Sequence, residues 1–281
     1  MAARPVAVIP ARDEAARLPH ALAALSREGA DAIVVANGCR DATAAVARAH
    51  GAAVIETPAS AGGVGAARRV GMAMALERGA SWLLTTDADG VVAPGTVAVL
   101  RDALGCADAA FGRAEPDAAE FAALPRHVRR HGALEDRHAA LVAELEGLRA
   151  PVPWDPLPRH DQTPGALMAF RPEAYRRAGG FEAVPCHEDR GIAEALWRTG
   201  ARIARPWNAV IAVSCRARGR APGGMADTIA ARATSDLRAE TAWLAARCAQ
   251  LEREARALRG SPSSNRETGA SDVLPLVQAA I

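Results

Sequence analysis

The first hundred residues alternate short apolar runs with amphipathic segments, and this pattern predicts strands followed by helices. The strands are expected at residues 6–9, 33–35, 53–55 and 82–86. In the first helical segment, 13–27, three leucines fall on one face: Leu18, Leu22 and Leu25. Strands that alternate with helices usually pair in parallel. The order therefore predicts an α/β fold in which helices cover both faces of a mostly parallel sheet.

From residue 113 to residue 163 the pattern changes. A helix is expected at 133–148, and prolines then mark a loop: Pro151, Pro153, Pro156, Pro158 and Pro164. The α/β pattern resumes with an apolar run at 165–170, followed by a helix at 189–198 and a strand at 209–213. We therefore predict one domain over residues 1–226, in which 113–163 is a variable insertion over the carboxyl edge of the sheet.

A further helical pattern follows this domain, with leucines that recur every seven residues: Leu237, Leu244, Leu251 and Leu258. The companion seam positions are small or weak for a coiled coil: Thr234, Thr241, Cys248 and Ala255. We therefore predict a C-terminal helix at 227–260 that packs on its own domain. A homodimer formed through this helix is the alternative. The tail at 261–281 is predicted to be disordered.

Composition excludes several classes of protein. The chain has 281 residues, a formal net charge of +2 and a pI of about 8.4, a balance that argues against a nucleic-acid partner. Its five cysteines are widely spaced and include no Cys-X-X-Cys pair, which favours reduced thiols in the cytoplasm over disulfides or a zinc site. Because a strand is predicted almost from the first residues, no signal peptide is expected. No apolar stretch approaches the roughly 20 residues of a transmembrane segment.

Two carboxylates, Asp87 and Asp89, stand one residue apart directly after the apolar run at 82–86. A buried strand that ends here delivers them to the carboxyl edge of the sheet, where ligands of open α/β sheets bind. Hard cations such as Mg²⁺ and Mn²⁺ take oxygen ligands and bridge to substrate phosphates. We therefore expect one carboxylate to reach a metal while the other reaches a ribose or orders the loop.

Five short blocks occur in one order along residues 5–225, and together they resemble the motifs of family 2 glycosyltransferases. They are Pro10-Ala11-Arg12-Asp13-Glu14, Asn37-Gly38-Cys39-Arg40-Asp41, Gly65-Ala66-Ala67-Arg68-Arg69, Asp87-Ala88-Asp89, and Gly179-Gly180-Phe181 with Glu188-Asp189. Each block is weak alone, and their shared order carries the resemblance. It implies a GT-A fold, a nucleotide-diphosphate sugar donor and a divalent cation, Mn²⁺ or Mg²⁺. The acceptor would be a glycan, a lipid or a small molecule, bound on the side of the variable insertion at 113–163.

The resemblance also implies roles for individual residues. Those that border the nucleotide sugar would be Pro10, Arg12, Glu14, Asn37, Arg68 and Asp87. Asp89 would be the main metal ligand, with Asp87 beside it. Asp189 would be the catalytic base, next to Glu188. Contacts with the acceptor or the diphosphate are expected from His187, Arg216 and Arg220.

These residue types suit glycosyl transfer. The leaving group is a nucleoside diphosphate whose developing charge a divalent cation neutralises, so no acid is needed there. The acceptor hydroxyl needs a carboxylate base on the opposite face of the sugar. Attack in one step would invert the configuration at the anomeric carbon. The Gln-X-X-Arg-Trp motif of processive synthases is missing, so a non-processive transfer is expected.

The chain departs from the family pattern at Ala36, where an aspartate is usual, so another residue such as Asn37 has to contact the base.

Purely structural interpretations also stand, because acids such as Glu188 and Asp189 favour the start of a helix. Two other classes of protein are alternatives. A sugar-phosphate nucleotidyltransferase would need a Gly-rich amino-terminal loop and lysine, which this chain lacks. A catalytically inactive glycosyltransferase-like binding protein would have no need of the retained carboxylates.

Overall fold

The computed structural model describes residues 5–216, 219 and 224–260. The strands in this part of the chain are β1 Val6–Ala11, β2 Asp31–Asn37, β3 Ala53–Thr57, β4 Leu83–Thr86, β5 Val91–Val92, β6 Ala109–Phe111, β7 Arg113–Pro116, β8 Leu167–Phe170, β9 Ile203–Ala204 and β10 Val210–Val213. The helices are α1 Leu18–Arg27, α2 Thr43–Ala49, α3 Gly63–Glu77, α4 Thr96–Ala103, α5 Ala118–Ala123, α6 Arg126–Arg149, α7 Pro172–Arg177, α8 Glu188–Arg198, α9 Met225–Thr234 and α10 Arg238–Gly260. The predicted disordered tail, 261–281, lies outside the described residues.

Seven strands form the main sheet in the order β3-β2-β1-β4-β8-β6-β9. Neighbouring strands pair in parallel except at β8, which runs antiparallel to both β4 and β6. The predicted α/β fold with a mostly parallel sheet is therefore confirmed. The insertion before β8 returns the chain to the carboxyl edge of the sheet. As a result β8 starts where β4 and β6 end, and Gly165 lies beside those ends.

Apolar side chains on both faces of the sheet form two core layers, because successive strand residues point to opposite faces. Ile9 of β1 packs with Leu18 of α1 on one face, whereas Val8 packs with Met72 of α3 on the other. Helix α3 lies close to the sheet at Gly71, where a Cβ atom would approach Val8 Cγ1 to 2.3 Å. This close packing places the first turns of α3 at the carboxyl edge.

A second, smaller sheet supports the loop that follows β4. Its strand order is β5-β10-β7, with β10 antiparallel to β5 and parallel to β7. Gly90 lies directly against this sheet, since a Cβ atom there would approach Ile211 Cδ1 to 2.6 Å. The pairing of β5 with β10 brings the residues after Val213 next to the end of β4.

The C-terminal helical region differs from the prediction, because the expected single helix is divided into α9 and α10. Between them Asp236 Oδ1 accepts the N–H of Arg238 at 3.1 Å, the kind of side-chain bond that favours a new helix start over continuation. The insertion also differs, since α6 begins at Arg126 and not at residue 133. The prolines do lie in the following loop, as predicted.

Helices α6 and α10 pack side by side and form what we call the helical arm. Its apolar seam contains Leu141 and Leu145 from α6, and Cys248, Leu251 and Ala255 from α10. The predicted leucine face therefore packs within the same chain, against the insertion. Throughout the described part of the chain, the helices are too short or too polar to cross a membrane.

Candidate active site

Asp87 and Asp89 follow β4 at the carboxyl edge, between the end of β1 and the start of β8. The turn is tight, because the N–H of Gly90 donates to the carbonyl of Asp87 at 3.2 Å. The Asp87 side chain keeps 38% of its surface exposed and that of Asp89 keeps 18%. Both carboxylates are thus open to a ligand at the point where α/β sheets usually bind one.

Arg68 is buried on α3 and joins the two acidic motifs of the site. Its Nη2 donates to Asp87 Oδ1 at 2.6 Å, and its Nε donates to Glu188 Oε1 at 3.0 Å. Its Nη1 donates to the Thr85 hydroxyl at 2.6 Å. The Phe181 ring lies beside the guanidinium, 5.7 Å from it. Because these partners occupy all three guanidinium nitrogens, contact between Arg68 and a nucleotide stays a prediction.

Glu188 and Asp189 begin α8, directly after a sharp turn at His187. His187 has a left-handed φ of 62°, unusual for a residue other than glycine, and its side chain is exposed. Burial raises the pKa of Glu188, and the neighbouring Arg68 opposes this effect. Asp189 Oδ2 accepts the N–H of Gly165 at 2.9 Å, and its Oδ1 accepts the N–H of Arg190 at 2.8 Å.

Asp89 and Glu14 share a second arginine, Arg216. The guanidinium donates to both carboxylate oxygens of Glu14, at 3.0 and 2.5 Å, and its Nη2 lies 3.0 Å from Asp89 Oδ2. Burial raises the pKa of Asp89 to about 6, reinforced by the nearby charge of Asp87 and opposed by that of Arg216. The predicted metal position thus combines concentrated negative charge with a cationic side chain.

The loops after β1 and β2 form the other side of the edge. Asn37 Nδ2 donates to the Gly63 carbonyl at 3.0 Å, so this amide attaches the start of α3 to β2. The hydroxyl of Thr57 donates to Asn37 Oδ1 at 3.4 Å. Pro10 is half-buried at the end of β1 and Arg12 is exposed. Nucleotide contacts from Pro10, Arg12 and Asn37 stay predictions.

The carboxylate of Asp13 connects these two loops, and the backbone of this residue is left-handed, with φ of 54°. Its Oδ1 accepts the N–H of Arg40 at 2.6 Å and that of Asp41 at 3.3 Å. Asp13, Cys39 and Asp41 each offer a ligand atom within 4.8 Å of the others, a spacing that a metal ion could use. Backbone N–H groups already donate hydrogen bonds to both carboxylates. We therefore interpret this group as one that holds the two loops together.

Buried polar groups dock the insertion on the sheet. His160 Nε2 donates to the Phe111 carbonyl at 3.1 Å, while its Nδ1 accepts the N–H of Gln162 at 3.1 Å. Burial lowers the pKa of His160 to about 3, helped by the positive charges of Arg205 and Arg113. These contacts require the neutral ring. They fix the chain that leads to Gly165.

Comparison with known protein families agrees with this geometry. Residues 6–130 match the model described as glycosyl transferase family 2. This segment is less than half of the chain, and over it the sequence is similar to that family. The match ends within α6, so Glu188, Asp189 and Arg216 lie beyond it. A search of the curated proteins gives no match.

Solved structures share this fold. TarS 1–349 from S. aureus, in complex with UDP-GlcNAc, is 13% identical with a TM-score of 0.55 over 89% of this chain and 73% of that one. Glucosyl-3-phosphoglycerate synthase from Mycobacterium tuberculosis, in complex with Mn²⁺, UDP and phosphoglyceric acid, is 19% identical with a TM-score of 0.51 over 88% and 79%. Other TarS matches span only 61% and 36% of the TarS chains. At these identities the likeness shows the fold alone, which is of the GT-A type.

The sequence patterns do not single out three residues of the site: Thr85, Gly165 and Glu120. Thr85 carries a signal, because a polar residue inside a buried strand needs a hydrogen-bond partner. The close packing at Gly165 appears only in the structure, where a Cβ atom would lie 3.1 Å from Arg68 Nη2 and 3.2 Å from Asp189 Oδ2. Glu120 has no local signal, because its partners are distant in sequence. Of the predicted contact residues, Arg220 lies outside the described part of the chain.

Proposed function

We propose that the chain is a hexosyltransferase-type enzyme that moves a sugar from a nucleoside-diphosphate sugar to an acceptor hydroxyl, assisted by a divalent cation. The position of Arg68 carries this proposal. This buried side chain contacts Asp87 at the end of β4 and Glu188 at the start of α8. It therefore holds the donor-side carboxylates and the neighbouring Asp189 at one edge of the sheet, as transfer between two substrates requires.

The donor is proposed to lie across the carboxyl ends of β1, β2 and β4. The family match, which covers all three strands, supports this placement. Asp87 and Asp89 provide the oxygen ligands that hard cations take, and the guanidinium of Arg216 beside Asp89 supports this position for positive charge. A bound cation would neutralise the diphosphate as it departs.

Asp189 is proposed as the base. Two backbone N–H groups orient its carboxylate, which retains lone pairs that can accept the proton of the acceptor hydroxyl. The acceptor oxygen then bonds to the anomeric carbon while the bond to the diphosphate breaks on the opposite face, so the configuration inverts. Glu188 is buried against Arg68, and we propose that it positions the site without taking the proton.

A panel of nucleotide sugars, incubated with the purified protein and Mn²⁺, tests the proposal. We expect release of a nucleoside diphosphate by transfer or hydrolysis, loss of this activity with EDTA and its return with Mn²⁺ or Mg²⁺. Asp89→Ala should lose metal-supported nucleotide binding and keep a cooperative thermal transition. Full activity of Asp89→Ala, or of the EDTA-treated protein, would contradict the metal role.

Further readouts separate the proposal from its alternatives. A nucleotidyltransferase would release pyrophosphate from a nucleoside triphosphate and a sugar 1-phosphate. An inactive binding protein would bind nucleotide sugars without transfer or hydrolysis. Proton NMR of the first product reports its anomeric configuration, and retention would exclude single displacement with Asp189 as base.

A further inference from the structure

One guanidinium is shared by carboxylates from two different strand ends. Glu14 follows β1 and Asp89 follows β4, whereas Arg216 follows β10 and reaches both. The Glu14 side chain is 7% exposed, that of Asp89 18% and that of Arg216 21%. Partial burial strengthens such pairs, because less water screens the charges. Among the residues that the structure describes, Arg216 is therefore a cationic partner of Asp89.

The backbone before Arg216 is fixed independently of this ion pair. Glu120 Oε2 accepts the Ser214 hydroxyl at 2.8 Å and the N–H of Cys215 at 2.7 Å. Arg17 in turn holds Glu120 Oε1 at 2.7 Å. The Arg216 side chain can thus change partners while its backbone stays attached to α5.

The two aspartates of the motif hold arginines that differ in their freedom. Arg68, on Asp87, is 2% exposed and has two further partners in Glu188 and Thr85. Arg216, on Asp89, is 21% exposed, and its described guanidinium partners are carboxylates alone. A ligand that replaces those carboxylates can therefore release Arg216, whereas Arg68 has to stay.

We infer that Arg216 is an internal counter-cation of Asp89 that couples the binding of a divalent cation to the binding of a diphosphate. This inference rests on the proposed function. A divalent cation competes with the guanidinium for the same carboxylate and repels it. Once displaced, the planar guanidinium matches the oxygens of a diphosphate in two-point contact. The cation thus frees the guanidinium for the diphosphate, and the diphosphate gives the displaced guanidinium a new partner.

This exchange predicts reciprocal coupling. The divalent cation alone binds weakly, because it has to displace Arg216 from Asp89 and leaves Glu14 as the described partner of the guanidinium. With a diphosphate present, the cation binds more tightly, and by linkage the diphosphate gains the same factor from the cation. Typical coupling between two sites is about 5–150-fold, and we expect a value in this range.

Calorimetric titration of Mn²⁺ alone, and of UDP, GDP, ADP and CDP with and without Mn²⁺, tests the inference after correction for the Mn²⁺–nucleotide complex in solution. In Arg216→Gln the affinity for Mn²⁺ alone should rise about 5-fold or more, and the coupling should fall toward one. Arg216→Lys keeps the charge and loses the two-point fork, so Mn²⁺ alone should still bind weakly while the coupling falls. Arg48→Gln is the control, because Arg48 forms an exposed ion pair with Glu56 away from this site.

The outcomes distinguish this inference from the proposed function. If the wild-type protein binds a nucleoside diphosphate with Mn²⁺, but Arg216→Gln shows the same Mn²⁺ affinity and coupling, only the inference is overturned. If the wild-type protein binds none of the four nucleotides, the proposed function is contradicted as well. If Arg216→Gln shows no cooperative thermal transition, Arg216→Lys decides: unchanged coupling in that variant overturns the inference.

Discussion

The candidate active-site edge and the helical arm both contain arginine–carboxylate pairs, but they place them in opposite environments. Arg68 and Glu188 are 2% and 6% exposed, whereas Arg137 of the arm is 58% exposed in its pair with Glu252. A buried charge that loses its partner is left uncompensated, while an exposed charge is solvated and screened. The first kind of pair therefore fixes geometry, and the second contributes little to stability.

Replacing Arg68 gives the largest expected effect. Arg68→Leu leaves the buried Glu188 without its counter-charge, so the free energy of unfolding should fall by about 3–5 kcal/mol, measured by urea denaturation. The double variant Arg68→Leu with Glu188→Leu removes both charges, so its free energy of unfolding should fall by less than that of Arg68→Leu. Arg69→Leu, on the exposed side of the same helix, is the matched control. A loss below about 1 kcal/mol in Arg68→Leu would show that burial does not distinguish the two regions.

Asp189→Asn separates an expected effect on turnover from the effect on stability that is expected of Arg68→Leu. Asn keeps an oxygen for the N–H of Gly165 and cannot accept the proton, so turnover should fall by about 10²–10⁴-fold. Donor affinity and thermal midpoint should change little, in contrast to Arg68→Leu. Steady-state kinetics and calorimetric donor binding measure the difference, with the exposed Glu182→Gln as control. Normal turnover with poor donor binding would assign Asp189 to binding instead.

Burial of His160 makes the free energy of unfolding depend on pH. The folded-state pKa is about 3 and the unfolded value about 6.5, so only the unfolded chain gains this proton between them. The contribution of the neutral ring is complete above about pH 6.5 and falls as the pH drops, by about 2 kcal/mol at pH 5. We expect the stability difference between wild type and His160→Gln to shift by this amount between pH 7.5 and 5. A constant difference in urea denaturation would contradict the burial argument, and the exposed His20→Gln is the control.

Breaking the exposed pair of the arm should give the smallest effect. Arg137→Ala should lower the free energy of unfolding by about 0–1 kcal/mol, and less at high salt. By comparison, Leu251→Ala in the apolar seam should cost about 2–5 kcal/mol, because it leaves a cavity between α6 and α10. Thermal and urea denaturation of both variants measure the contrast. Equal losses would mean that the arm depends on its ion pairs.

Features set by neighbouring residues could be predicted from the sequence. The strand order along the chain, the helix faces and the position of Asp87 and Asp89 after a strand all follow from local apolar patterns. The pattern was less informative in the insertion and the C-terminal region, where α6 starts earlier than expected and a break separates α9 from α10. There the helix ends depend on single polar residues such as Asp236.

The sequence by itself determined which residue types were available. Its strand–helix pattern also predicted a parallel sheet, in which the ends of β1 and β4 lie at one edge. Only the tertiary structure decided their partners. Arg68 meets Glu188 across 120 positions and Arg216 meets Glu14 across 202. A sequence of 34 basic residues and 32 acidic ones allows a great many such pairs. Burial selects among them, because only a charge removed from water requires one particular partner.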